Sequence, residues 1–493
     1  MTTLSKTIDR SNITSAALRN DTPVSYVLHN SCKAKGFAAA CLLQVRFRCF
    51  AGSFQVPNSD IHGIIPSPST CDEFNTIVSQ QGCMYKKHLS AAVGLLVVCT
   101  AMVFAAGCVS GPADTNKTPT VEILYSGAGF MPGLLANGEI DGYIIWQPYI
   151  AVGVEGDMGK IVSYSRDLPP EGMWKQHTCC VIGANSKALK NNELTTSIVA
   201  LTILGNKYIN DYPGKTAELT ADWLFAKQNV ISGNTTINSV DILKASIPTI
   251  MFSSEVTERW IASNEMFIQS QRELGLLTGN LASSTAEESR VLLYDFAQYE
   301  AAIAQIAAGS LTSLVPAANP VTVSIGYLPS DHDAPLFVLL KDWQYFRDTY
   351  NSYLKPKTDG PGKVSVAELY INDQKIADVT FFEGSGGPQL MTLLSQNVIQ
   401  YAVAGSPPYI SAIDKSTGDV AVKILAPIQL EGSGLVASIN SPANDWASFV
   451  QWVTDRSAAG NNVVIADPQL GSIQDAQLKT ALNYANITAI LRK

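Results

Sequence analysis

Residues 321–346 read VTVSIGYLPSDHDAPLFVLLKDWQYF. The run Val321–Tyr327 has the character of a buried strand, 328–333 that of a tight polar loop, and Ala334-Pro335 that of a helix opening. Proline just inside a helix start is favourable, because the N–H it lacks would have no intrahelical partner there. Strand, loop and helix N-terminus in succession make a place to hold a ligand, since the free N–H groups of the first turn face it.

Working outward toward the C-terminus, strands are predicted at 366–371, 379–382, 399–404, 420–426, 434–438 and 463–466, with helices at 389–395, 446–456 and 474–484. This alternation predicts mixed α/β layers with a largely parallel sheet. Four strand-to-helix loops are rich in Gly, Ser and Pro: 328–333, 383–388, 405–408 and 470–473. Ligands collect at such carboxyl ends of strands, where glycine lets a backbone approach closely. The candidate ligand-binding residues here are Pro329, Ser330, Asp331, His332, Ser385, Gly386, Gly387, Gly405, Ser406, Gly471 and Ser472. Asp331, Asp333 and Glu383 are the acids of these loops, and His332 is the one group able to carry positive charge. A dianion would normally call for arginine or lysine. The loops therefore suit a monoanion held by backbone N–H groups, or a neutral or amine-bearing ligand.

On the N-terminal side, a short strand at 121–124 leads through Gly127 to a helix near 130–136. Asn137-Gly138 closes that helix. A second strand, 142–145, is followed by Trp146-Gln147-Pro148-Tyr149, and Trp146 and Tyr149 offer flat surfaces for either a cleft wall or a core. Further strands are predicted at 161–164 and 178–183, followed by a helix-rich tail to residue 308. His177, Cys179 and Cys180 lie together in sequence. Neighbouring residues of a strand point to opposite faces, so one strand is not expected to present both thiols to one ion. No catalytic residue, metal site or cofactor is assigned.

The chain has 493 residues, 46% hydrophobic and 15% charged, with a net charge of −8. No basic cluster offsets that charge, which argues against nucleic-acid binding. Residues 1–83 lack sustained periodicity and are read as an unstructured or over-extended leader. They hold Cys32, Cys41, Cys49, Cys71 and Cys83 at spacings unlike a zinc motif. From Met84, a basic Lys86-Lys87, an apolar run over 89–106 and Ala105-Ala106-Gly107-Cys108 form a lipoprotein-type signal peptide (84–108), with Cys108 the lipidated residue. An uncleaved membrane anchor is the other reading of that run. Residues 109–119 form a flexible tether and 311–319 a linker.

The IGYLP segment, the Gly/Ser and Gly-Ser-Pro-Pro loops and the Asn-Gly-Glu-Ile-Asp-Gly, Trp-x-Pro-Tyr pattern resemble the solute-binding proteins of ABC importers in the nitrate/sulfonate/taurine group. The resemblance covers about 120–493 apart from the linker. It implies a two-lobed, periplasmic-binding-protein-like (type 2) α/β fold. In the family the IGYLP segment begins the mature chain, so the order of the halves looks circularly permuted: 120–310 resembles the family's second lobe and 320–493 its first. The resemblance further implies an extracytoplasmic, lipid-anchored monomer on the outer face of the cell membrane. It would capture a small solute for an ABC permease and ATPase, without catalysis. The alternative is an enzyme on the same fold, similar to thiamine-pyrimidine synthases or to menaquinone-pathway enzymes that process a chorismate-like acid.

Overall fold

A computed structural model describes residues 118–309, 311, 320–418 and 421–492. The expected leader, the signal peptide with Cys108 and nearly all of the tether and linker lie outside the described residues. No described helix is long and apolar enough to cross a membrane.

The strands in chain order are β1 (Thr120–Tyr125), β2 (Gly142–Trp146), β3 (Gly159–Tyr164), β4 (Cys180–Asn185), β5 (Val230–Ser232), β6 (Thr235–Ile237), β7 (Ile250–Met251), β8 (Val321–Tyr327), β9 (Ser352–Pro356), β10 (Val366–Ile371), β11 (Gln374–Glu383), β12 (Tyr401–Gly405), β13 (Val422–Pro427), β14 (Leu430–Glu431), β15 (Ser433–Ser438), β16 (Val463–Asp467) and β17 (Thr488–Leu491). They form a mixed α/β structure with two large sheets. One has the order β17-β1-β16-β2-β15-β3, the other β13-β4-β12-β8-β11-β10-β9.

Neither sheet is purely parallel: the first pairs parallel over β17-β1-β16-β2 and the second only over β12-β8-β11, so the expectation of a largely parallel sheet fits the first and fails for the second. β4 runs antiparallel to both β12 and β13, and β15 antiparallel to both β2 and β3. Each of these strands is the first of its sheet that the chain enters after leaving the other, so it arrives from the opposite direction. The five strands β11-β8-β12-β4-β13 of one sheet and β1-β16-β2-β15-β3 of the other thus repeat one arrangement. The sheets also do not divide at the 311–319 linker. β15, β16 and β17 join β1–β3, whereas β4 joins the strands from 321–427. Sequence patterns report strands, not partners, so the lobe boundaries set at 120–310 and 320–493 missed both crossings, at 165–179 and 428–432. β17 lies parallel to β1, and Thr488 donates its N–H to the Pro119 carbonyl at 2.8 Å.

The 321–346 stretch folds as its composition dictates. β8 is central to its sheet, between β12 and β11. The helix Ala334–Lys341 follows a 3-10 turn at Asp331–Asp333, has proline in its first turn and is buried over all but its last residue. A helix apolar on every side must be covered on every side. The Asn192–Asp211 helix supplies one cover, approaching so closely that a Cβ at Gly205 would meet the Pro335 carbonyl oxygen at 2.6 Å. Trp223, from Pro213–Phe225, supplies another by stacking on Phe337 at 4.7 Å. Lys341 closes the end with an ion pair to Asp222 at 2.5 Å. The helix-rich tail expected to residue 308 ends in two helices, Ala286–Leu293 and Ala297–Ala307. Tyr294 separates them by bridging to Ile424 beside β4's sheet, with its ring stacked on Phe296.

Candidate functional site

A cavity of about 240 Å³ lies where the carboxyl ends of strands from both sheets converge. Of the predicted residues, Gly127, Trp146, Ser330, His332, Ser385, Gly386, Gly387, Gly405 and Ser472 line it. They come from segments up to 345 positions apart in sequence, and among the described residues no lysine or arginine lines the cavity with them.

The remaining predicted residues do not line this cavity. Asp331 is wholly buried beneath the loop and accepts a hydrogen bond from Ser246. Ser406 is buried, its N–H donated to the Cys179 carbonyl at 2.8 Å. Pro329 is half-buried behind Ser330. Gly471 borders a neighbouring cavity and donates its N–H to Asp475 at 2.9 Å. Tyr149 opens the Tyr149–Glu155 helix and packs edge-on to Trp146 at 6.4 Å. Their types suit loops at strand ends, and the pleat and the helix starts decide which side chains turn outward.

Cys179 and Cys180 both line the cavity, against the expectation from strand alternation. β4 starts at Cys180, so Cys179 precedes the regular strand and alternation does not govern it. Their sulfurs stand 3.4 Å and 4.0 Å from His332 Nδ1. His177, their neighbour in sequence, is turned away: its Nδ1–H is donated to the Thr178 carbonyl at 2.8 Å, and its Nε2 accepts from Ser165 and Gln477. Burial lowers its pKa, so it is a neutral structural histidine. The thiols' true partner lies in the 328–333 loop, which the sequence separates from them by some 150 residues.

The second crossing holds His332 from the far side. His332 Nε2–H is donated to the Gly432 carbonyl at 3.1 Å, and the Gln429 side-chain amide reaches Nδ1 at 2.6 Å. Gly432 has φ +79°, and a Cβ there would meet His332 Nε2 at 2.6 Å. Glycine is thus required twice over, for backbone conformation and for space. Glu431 ties the two crossings together through Arg166 at 3.2 Å and the Gln176 N–H at 2.8 Å. Nothing in the local patterning of 428–432 marks it for this role.

The electrostatics follow from burial around one imidazole. Burial opposes charge on His332, but the Cys179 sulfur and the carboxyls of Asp331 and Asp333 raise its pKa to about 9. Burial alone would raise the Cys179 thiol; the hydrogen bond from Cys180 and the His332 charge instead pull it well below the ordinary thiol range. The same hydrogen bond, with burial, pushes Cys180 up. Burial raises Asp331 to about 6 and lifts Asp333 well above its ordinary value, although Asp333 accepts the Leu328 N–H at 2.6 Å. The arrangement offers a nucleophilic or metal-ligating sulfur, a proton-bearing imidazole and the glycine-rich starts of three helices around one small cavity.

No protein-family model matches the chain, and no solved structure matches it. It is 38% identical over 97 residues to an uncharacterised protein of Methanocaldococcus jannaschii, a match spanning 20% of this chain and 64% of that relative.

Proposed function

We propose that the protein is a two-lobed binding protein of the periplasmic-binding type 2 class, with its lobes in circularly permuted order. It captures a small solute between its two sheets and delivers it to an ABC permease and ATPase. The observation that carries this reading is the doubled strand arrangement: the same five-strand order occurs in each sheet, and two crossings join them beside a shared cavity. Chain segments that pass twice between two bodies act as a hinge, and ligand closure biases it. Beginning at β8, the chain completes one sheet's parallel strands, crosses at 428–432, builds the other sheet through β17, continues in β1–β3 and returns at 165–179 to β4. The pairing of β17 with β1 supports a permutation, in which the chain is opened between two neighbouring strands of one sheet.

The cavity suits a nitrate-, sulfonate- or taurine-sized solute in volume. As a proposal the protein works outside the cytoplasm as a lipid-anchored monomer on the cell membrane's outer face, binding rather than transforming its ligand. The Cys179–His332 contact favours a second reading, an enzyme on the same fold, because an imidazole beside a thiol is a nucleophile and its base.

The test is thermal unfolding of the full chain against nitrate, taurine, alkanesulfonates, bicarbonate, aminopyrimidines and aromatic carboxylates. A ligand at about a hundredfold its Kd adds about 2.7 kcal/mol. One saturable upward shift with the ligand recovered unchanged is expected. Conversion of the ligand would replace binding by catalysis, and no shift with any member of the panel would overturn the solute class.

A further inference from the structure

We propose that Cys179, Cys180 and His332 hold one Zn²⁺ ion whose fourth position opens into the cavity, where an oxygen of the captured solute completes it. This rests on the binding-protein reading above and names how that cleft would hold an anion.

The donor atoms of the three residues lie within 4.8 Å of one another. In a tetrahedral zinc site with bonds of about 2.3 Å to sulfur and 2.0–2.1 Å to nitrogen, ligand atoms stand roughly 3.5–3.8 Å apart. The separations of 3.4 Å and 4.0 Å from Nδ1 to the two sulfurs bracket that edge. Zinc would therefore need only small side-chain adjustments, with the Gln429 amide moving off Nδ1.

The surroundings also fit. A metal-bound histidine usually donates its other N–H to a carbonyl or carboxylate, which fixes the ring. His332 Nε2 already does so to Gly432. All three residues are at least 96% buried, yet all three face the cavity, so one coordination position is reachable. Two thiolates neutralise a divalent ion, and a neutralised set is what a dry site without lysine or arginine can hold. Three protein ligands with one open position is the pattern of zinc sites that bind a small molecule, and Cys₂His is one of its ligand sets. Zinc would supply an open Lewis-acidic position for an anionic oxygen in a cavity that no described lysine or arginine lines.

The experiment uses reduced full-length protein stripped with chelator and titrated with Co²⁺, followed by displacement with Zn²⁺. Thiolate-to-cobalt charge-transfer absorption is expected, with one more ion bound by the wild type than by Cys179→Ser, Cys180→Ser or His332→Ala. Cooperative unfolding of the near-isosteric Cys180→Ser verifies that the fold persists. Equal uptake by wild type and all three variants would assign the metal to the other cysteines and overturn the proposal, as would no uptake. The anion panel is then repeated with zinc and with chelator. An anion whose shift requires zinc supports the site. A shift of equal size in chelator overturns the zinc inference but keeps the binding protein. Zinc uptake without any anion shift keeps the zinc ion and overturns its role in capture.

Discussion

His332 Nδ1 stands 3.4 Å from the Cys179 sulfur, across 153 positions of sequence, and the contact joins the loop after β8 to the crossing that enters β4. One residue thus reports on both the site and the joint between the sheets.

Against burial, the hydrogen bond from Cys180 and, beside it, the His332 imidazole lower the Cys179 pKa. In chelator-treated protein, the Cys179 alkylation rate with a small neutral reagent should hold as pH falls below the usual thiol range. His332→Gln should cut that rate at pH 7 at least tenfold, since one pKa unit is a tenfold change in thiolate. Mass-spectrometric mapping of the alkylated peptide over a pH series checks this. A wild-type profile with an ordinary thiol midpoint would refute it.

Gly432→Ala places a Cβ against the His332 ring from a left-handed backbone. Strain of this kind costs about 1–3 kcal/mol. The denaturant midpoint should fall without a change of m-value, and any ligand response should weaken in parallel. An unaltered midpoint would mean that the crossing shifts freely.

Asp467, at the end of β16, is fully buried with one carboxyl oxygen unpartnered, and burial and the nearby Asp475 raise its pKa well above the ordinary value. Its folded value exceeds its unfolded one, so its contribution to stability is fully present below the unfolded pKa and is lost as pH rises through the folded one. Asp467→Asn should therefore gain on the wild type as pH rises from about 4 upward, toward neutrality. Urea unfolding of both proteins at several pH values checks the sign. A difference that is constant with pH would place an ordinary carboxylate there.

Glu431 accepts the Gln176 N–H and pairs with Arg166, whose side chain is 40% exposed. Glu431→Gln keeps an acceptor for the N–H, while Glu431→Ala removes both contacts. Alanine should cost about 1 kcal/mol more than glutamine, the value of one hydrogen bond. The screened ion pair itself should add little. Equal losses would show that the ion pair, not the N–H bond, ties the crossings.

Much of the local structure was legible in the sequence. Val321–Tyr327 and Val366–Ile371 carry their own periodicity, and the structure has them at those bounds; the helix opening read at Ala334-Pro335 is where a helix begins. The glycine- and serine-rich loops were legible as cavity walls, because a backbone approaching a ligand needs small residues wherever it lies. Partnership was not legible. Strand composition is the same whichever neighbour a strand takes, so β4's place beside β12 and β15's beside β2 exist only in the assembled sheets. The Cys179–Cys180–His332 cluster was hidden likewise: alternation holds only inside a regular strand, and the chain meets β4 one residue after Cys179. The sequence by itself determined which segments become strands, helices and small-residue loops, since those depend on neighbours within a few positions. Only the tertiary structure decided which thiols meet which imidazole, because that depends on two crossings that bring distant segments to one cavity.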